Sequence, residues 1–184
     1  MDSTVIQGSW RFALVSVASF SCWAFGGTLF TSEAALYLAC AVVFLVFGSL
    51  AVRPAAGPGV SRGRFFLIFA LAFVAYAAAW CGFWFTLLDK RAEIFGSLAG
   101  AVLMALVFRF TLGRPVRWVA GAAVLFFWHT LGYFGGEWLF DGLGGAGYTL
   151  SKLGWGLGYG LGFGAGLAHC LTVGRGEAAA EPAV

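Results

Sequence analysis

Residues 65–88 read FFLIFALAFVAYAAAWCGFWFTLL, 24 consecutive positions without a charged side chain. An α-helix crosses the hydrocarbon core of a bilayer with about 20 apolar residues. This run is long enough to do so with some tilt. In lipid a helix satisfies its own backbone N–H and C=O groups, which is why long apolar runs read as helices there. A membrane β-strand would be about 10 residues of alternating polarity. The segment alternates nowhere, so it predicts a transmembrane helix.

The rest of the chain follows the same pattern. Of 184 residues, 61% are hydrophobic and only 10% are charged. Soluble domains carry about 25% charge and 45–50% apolar residues, so the excess must face lipid. Six stretches qualify as spans: Phe12–Phe30, Ala34–Val52, Phe65–Leu88, Ile94–Leu112, Trp118–Phe140 and Leu153–Val173. The expected fold is all-α: a polytopic integral membrane protein, one six-helix transmembrane domain over residues 1–173. Residues 174–184 are small and polar, and predict a disordered cytoplasmic tail.

Orientation follows from Lys and Arg. With the amino terminus inside, Arg11, Arg53, Arg62, Arg64, Arg109, Arg114, Arg117 and Arg175 are cytoplasmic, and Lys90, Arg91 and Lys152 lie outside. Eight and three account for all 11 basic residues. Both termini are therefore expected in the cytoplasm, with a bacterial inner membrane as the location. Trp10 and Trp118 mark inner ends, while Trp84, Trp138, Tyr148 and Trp155 lie near outer ends. The first run precedes Ser32-Glu33-Ala34, a small-residue pattern like a signal-peptide cleavage site. It is longer than an ordinary signal core and Arg11 is the single basic residue before it, so a retained helix is expected.

The connections are short. Ser32 predicts an N-cap for the second span, with Glu33 at the positive end of its dipole. Arg53–Arg64, with Pro54, Gly57, Pro58 and Gly59, predicts a flexible turn. Gly113-Arg114-Pro115 ends the fourth span. Cys22, Cys40, Cys81 and Cys170 lie within apolar runs and in no CxxC pair. They predict small buried hydrophobes, with no disulfide and no metal site.

The last span is the most unusual. Glycines at 154, 156, 158, 160, 162, 164 and 166 alternate with large apolar residues. At about 100° per residue, Gly154, Gly158, Gly162 and Gly166 form one stripe, and Gly156, Gly160 and Gly164 another on the opposite face. Each is a groove that lets a neighbouring backbone approach closely. The span is expected between two other helices, at the bundle centre or an oligomer interface.

The fifth span carries a polar series at intervals of four: His129, Tyr133, Glu137 and Asp141. His129 lies about 16 Å from the start at Trp118, near the midplane, and Glu137 about 28 Å along. Polar groups at such depth face a bundle interior or a water-filled cavity. They predict a track from the outer surface down to His129, able to bind a small solute or relay protons. The bland alternative is an interfacial Glu137 and Asp141, with His129 bonded to a carbonyl. Asp89-Lys90-Arg91-Ala92-Glu93 lies at the same mouth, with Asp89 and Arg91 as candidate ligand contacts or as a self-paired turn. Tyr76, Trp80 and Trp84 form an aromatic stripe on the third span, more in keeping with lipid or helix contact than with a ligand wall. His129 and His169 differ too much in depth to bracket a haem, and the sequence names no cofactor.

The function classes narrow accordingly. No basic cluster predicts nucleic-acid binding. No Walker, HExxH or GxSxG motif is present, so no catalytic residue is assigned. The leading expectation is a protein that binds or transports a small solute or ion along the fifth helix. The alternative is a non-catalytic subunit that stabilises or regulates a larger membrane complex, with a homo-oligomer or other membrane partners. The third is a lipid- or quinone-modifying enzyme using His129, Glu137 or Asp89.

Overall fold

The structure is a computed structural model that describes residues 2–113 and 117–173. The expected tail 174–184 lies outside the described residues, as do Arg114, Pro115 and Arg175. Every regular element described is helical: α1 (Ser3–Ala24), α2 (Gly26–Leu29), α3 (Glu33–Val43), α4 (Ser49–Ala56), α5 (Arg62–Leu87), α6 (Lys90–Thr111), α7 (Trp118–Gly142) and α8 (Tyr148–Val173). A π-helical turn over Phe44–Gly48 joins α3 to α4, so that Glu33–Ala56 runs as one helix.

Four helices are long and apolar enough to cross a membrane: Glu33–Ala56, α5, α6 and α7. They make the chain an integral membrane protein. Helices α1 and α8, of 22 and 26 residues, match them in length. Their polar residues and glycines dilute the apolar content: Arg11 and five serines in α1, Lys152 and the glycine series in α8.

Local chemistry sets the ends. The Asp2 side chain accepts from Thr4 N–H, so α1 starts at Ser3 rather than Phe12. Ser32 and Ser61 cap α3 and α5 in the same way, meeting amides that have no partner within the first turn. The expected turn over Arg53–Arg64 is shorter than the sequence suggests. The helix continues through Pro54 to Ala56 and stops at Gly57, whose φ of 93° is the left-handed end that glycine accommodates. The Arg53 guanidinium then donates to Val60 C=O at 3.0 Å and ties the short loop down.

Helix α8 is the centre of the bundle and has more buried residues than any other described helix. It packs chiefly against α7 and α1; α5 lies along α6, and α6 reaches α7. By contrast α3 buries none of its residues. Towards the end of the bundle that holds Arg64, the core is filled by Phe65, Phe69, Phe108, Met104, Leu125 and Leu167, all essentially inaccessible. Lys90, Glu137 and Lys152 lie at the opposite end, where α1, α5 and α7 finish.

Candidate functional site

Backbone proximity positions the site. A Cβ added at Gly158 would lie 2.7 Å from Gly136 Cα, and one at Gly162 would lie 2.7 Å from Gly132 N, so α7 and α8 cross with their main chains nearly in contact. Gly154 and Gly166 face α7 as well, against Leu143 and Leu125. Gly156, Gly160 and Gly164 face α1, against Phe20, Ser16 and Phe12. The α7 glycines that complete the crossing, Gly132 and Gly136, were not singled out in the sequence, although their i, i+4 spacing is the same small-residue signal. This crossing brings the α7 side chains one turn either side of Gly132 directly onto those of α8.

His129 is one of them. It is 1% exposed, and its Nε2 and the Tyr76 hydroxyl share a hydrogen bond at 2.5 Å. Three tyrosines from three helices surround the imidazole: Tyr76 of α5, Tyr133 of α7 and Tyr159 of α8, with ring centroids at 5.3, 6.1 and 5.4 Å. Phe163, at 5.0 Å, closes the far side. Ser97 and Tyr159 place further polar groups near the Tyr76 hydroxyl. His129 Nδ1 is buried without a hydrogen-bond partner. The imidazole is therefore held inside protein rather than against lipid, bonded to a phenol and not to a backbone carbonyl.

Above this cage lies a crevice of about 230 Å³, walled by Phe20, Phe44, Trp80, Trp155 and the three tyrosines, with Ala77 and Cys81 on its α5 side. Tyr76 and Trp80 of the aromatic stripe thus line a cavity, while Trp84 stacks on Trp80 at 5.5 Å and 9°. The lining is overwhelmingly aromatic. It can hold a ring by stacking and edge contacts and offer it a phenolic hydroxyl that both donates and accepts.

The charged residues sort differently from the sequence order. Lys90 donates to Glu137 Oε1 and stands 3.3 Å from Glu93 Oε2. Tyr133 lies beside both carboxylates. Glu93, 7% exposed, belongs to this group; the sequence places it at the mouth but not among the candidate contacts. Asp89 and Arg91, named as candidate contacts, pair with each other instead: Arg91 donates from Nε at 2.9 Å and from its backbone N–H at 2.8 Å. Arg91, whose side chain is 73% exposed, points away from the group around Lys90, and its pairing holds the Asp89 carboxyl below the ordinary carboxylate range. Asp141 is exposed at the end of α7. The polar series on α7 thus continues from His129 to Glu137 and stops short of Asp141.

Two other features are structural. Lys152, 9% exposed, donates to Trp23 C=O at 3.1 Å and sits over the Trp23 and Tyr148 rings, 4.3 and 4.4 Å from their centroids. His169 accepts from Trp128 Nε1 at 3.3 Å, ten residues along α8 from Tyr159, so the two histidines serve separate contacts. No cluster of three or more metal-ligating side chains occurs among the described residues. Compared with protein-family models, with curated proteins and with solved structures, the chain matches none.

Proposed function

We propose that the chain is a six-span membrane protein that binds a small molecule in the crevice above His129. In this reading α1, the Glu33–Ala56 helix, α5, α6, α7 and α8 each cross once, with both termini cytoplasmic in a bacterial inner membrane. The basic residues favour that orientation. The central position of α8, gripped along its whole length by α1 and α7, favours counting both as spans.

One observation carries the reading: a buried histidine and three tyrosines converge from three helices at the floor of an open aromatic crevice. A buried hydrogen-bonded pair gains little over apolar groups of the same shape, and hydrocarbon side chains would fill the same volume. The cluster has a purpose if a ligand in the crevice meets a hydroxyl. Binding comes before conduction, because the packed phenylalanines beyond His129 fill the remaining path. The test is purification in mild detergent, solvent extraction and mass spectrometry of the extract. A small molecule near one per chain is expected, and its loss from a folded Ala77→Trp variant, whose crevice is filled. Equal content in wild type and Ala77→Trp would discard the site.

A second reading, a subunit of a larger membrane complex, draws on a different surface. A groove of about 450 Å³ runs over the glycine crossing, flanked by Trp128, Leu131 and Trp138. A partner helix seated there would co-purify in stoichiometric amount and be lost on Gly135→Trp.

A further inference from the structure

We infer that the crevice admits a planar molecule of one or two rings that carries no negative charge, which enters sideways from the bilayer rather than from water; the inference rests on the crevice being a binding site and names what it binds. The walls decide the charge. Phe20, Phe44, Trp80 and Trp155 offer ring faces and edges. Lys90, Glu93 and Glu137 pair with one another and line none of it, and the two carboxylates reach it only through Tyr133. An anion would lose its water and meet only ring faces and, behind Tyr133, two carboxylates, with no countercharge in exchange. An uncharged ligand needs only a single polar group to meet Tyr76, Tyr133 or Tyr159.

Shape and size follow from the same walls. At about 230 Å³ the space is smaller than the roughly 300–1,000 Å³ of sites for drug-sized ligands. One or two fused rings fill it. Flexible chains gain less there, because stacking rewards a rigid flat body and ordering each rotatable bond costs entropy.

The route follows from the helices at the mouth. Helix α5 meets the second helix along α4 and the π turn, whereas α3 buries no residue. On this side the crevice ends at Cys81, which lines it and is exposed. Cys81 is six residues before the end of α5, about 9 Å along its axis, at a depth where acyl chains are the solvent. A molecule already dissolved in the membrane reaches the crevice without crossing the Lys90 group.

The test uses the full chain in lipid nanodiscs, titrated calorimetrically with 2-naphthol, naphthalene-2-sulfonate and 1-decanol, with empty nanodiscs subtracted. Saturable 2-naphthol binding is expected, at least 10-fold tighter than the sulfonate and undisturbed by decanol. Ala77→Phe should abolish it. Should that variant misfold, Cys81→Trp blocks the rim without entering the core. Sulfonate within threefold of naphthol, or displacement by decanol, overturns the ligand class while the co-purification result above still stands. Naphthol binding unaltered in both blocked variants places it elsewhere and overturns the inference. The route has its own readout: bimane on Cys81, in a chain carrying Cys22→Ala, Cys40→Ser and Cys170→Ala, should be quenched by spin-labelled lipid and not by aqueous iodide. The reverse overturns side entry and leaves the binding site intact.

Discussion

The Tyr76 hydroxyl and His129 Nε2 meet at 2.5 Å between two helices that are not neighbours in sequence, deep in the bundle. The bond gives His129 Nε2 its partner and ties α5 to α7. Tyr76→Phe keeps the ring packing and strands the imidazole nitrogen, which should cost about 1–3 kcal/mol. His129→Leu should cost less, because Ser97 and Tyr159 remain beside the phenol. The double variant should be milder than the sum, because the imidazole that Tyr76→Phe strands is then absent, with a coupling of roughly 0.5–3 kcal/mol. Denaturation in mixed micelles measures all three. Strict additivity would mean that the bond contributes nothing to holding α5 on α7.

Glycine substitutions should separate contact from mere composition. At Gly162 an added methyl meets the Gly132 backbone, which cannot rotate aside. Gly162→Ala and Gly158→Ala should each destabilise by roughly 1–3 kcal/mol through overpacking. Gly82, in α5, has nothing within 4 Å of its Cβ position. Gly82→Ala should be neutral or stabilise by up to about 1 kcal/mol, the propensity difference between the two residues. The same denaturation assay checks the contrast, and equal effects at the three positions would show that α7 and α8 do not grip each other here.

Some of this was readable from the chain and some was not, for physical reasons. Periodicity turns spacing into faces. Gly154 and Gly156 therefore had to lie on different sides of their helix, and in the structure one meets α7 and the other α1. The helical class followed from long uncharged runs such as Phe65–Leu88. Partner choice is another matter. Nothing local ties His129 to Tyr76 or Tyr159, because that depends on which helices are adjacent. Likewise Asp89 and Arg91 looked equivalent to Lys90 and Glu93. What separates them is rotation about the axis of α6: Glu93, three residues after Lys90, stays on the face turned to α7, while Arg91 turns outward to Asp89. The aromatic crevice was out of reach for the same reason, since its walls come from α1, the π turn, α5, α7 and α8.

At the start of α6, pH should act through Asp89. Its carboxylate accepts from the Arg91 side chain and backbone, and the Arg91 side-chain bond is the main reason that its pKa lies below the usual carboxylate value. A lowered folded value means that the charged cap supports the helix fully above the unfolded pKa of about 4. That support disappears as pH falls through the lowered folded value. Hydrogen-exchange protection of the Arg91 and Ala92 amides should therefore fall on acidification below pH 4 in the wild type. Asp89→Asn keeps an acceptor but no charge, so its protection should be lower at neutral pH and flat across the same range. A flat wild-type profile would show that the pair does not steady this turn.

The group around Lys90 yields a rank order rather than a single number. The Lys90 ammonium, 63% exposed, serves Glu137, 34% exposed, and Glu93, 8% exposed. Glu93 Oε2 receives it as a nearby charge and not as an aligned hydrogen bond. Water can replace the ammonium at Glu137, so Glu137→Gln should cost less than about 1 kcal/mol, as partly exposed pairs do. It cannot easily do so at Glu93. Lys90→Gln leaves that carboxylate buried without a countercharge and with only the Tyr133 hydroxyl beside it, and should cost about 1–2 kcal/mol, less than a fully buried pair because Lys90 itself reaches solvent. Adding Glu93→Gln to Lys90→Gln removes the stranded charge and should recover most of the loss. Thermal unfolding in mild detergent at neutral pH compares the variants. A Glu137→Gln cost equal to that of Lys90→Gln, or no recovery in the double variant, would show that Glu93 does not depend on Lys90.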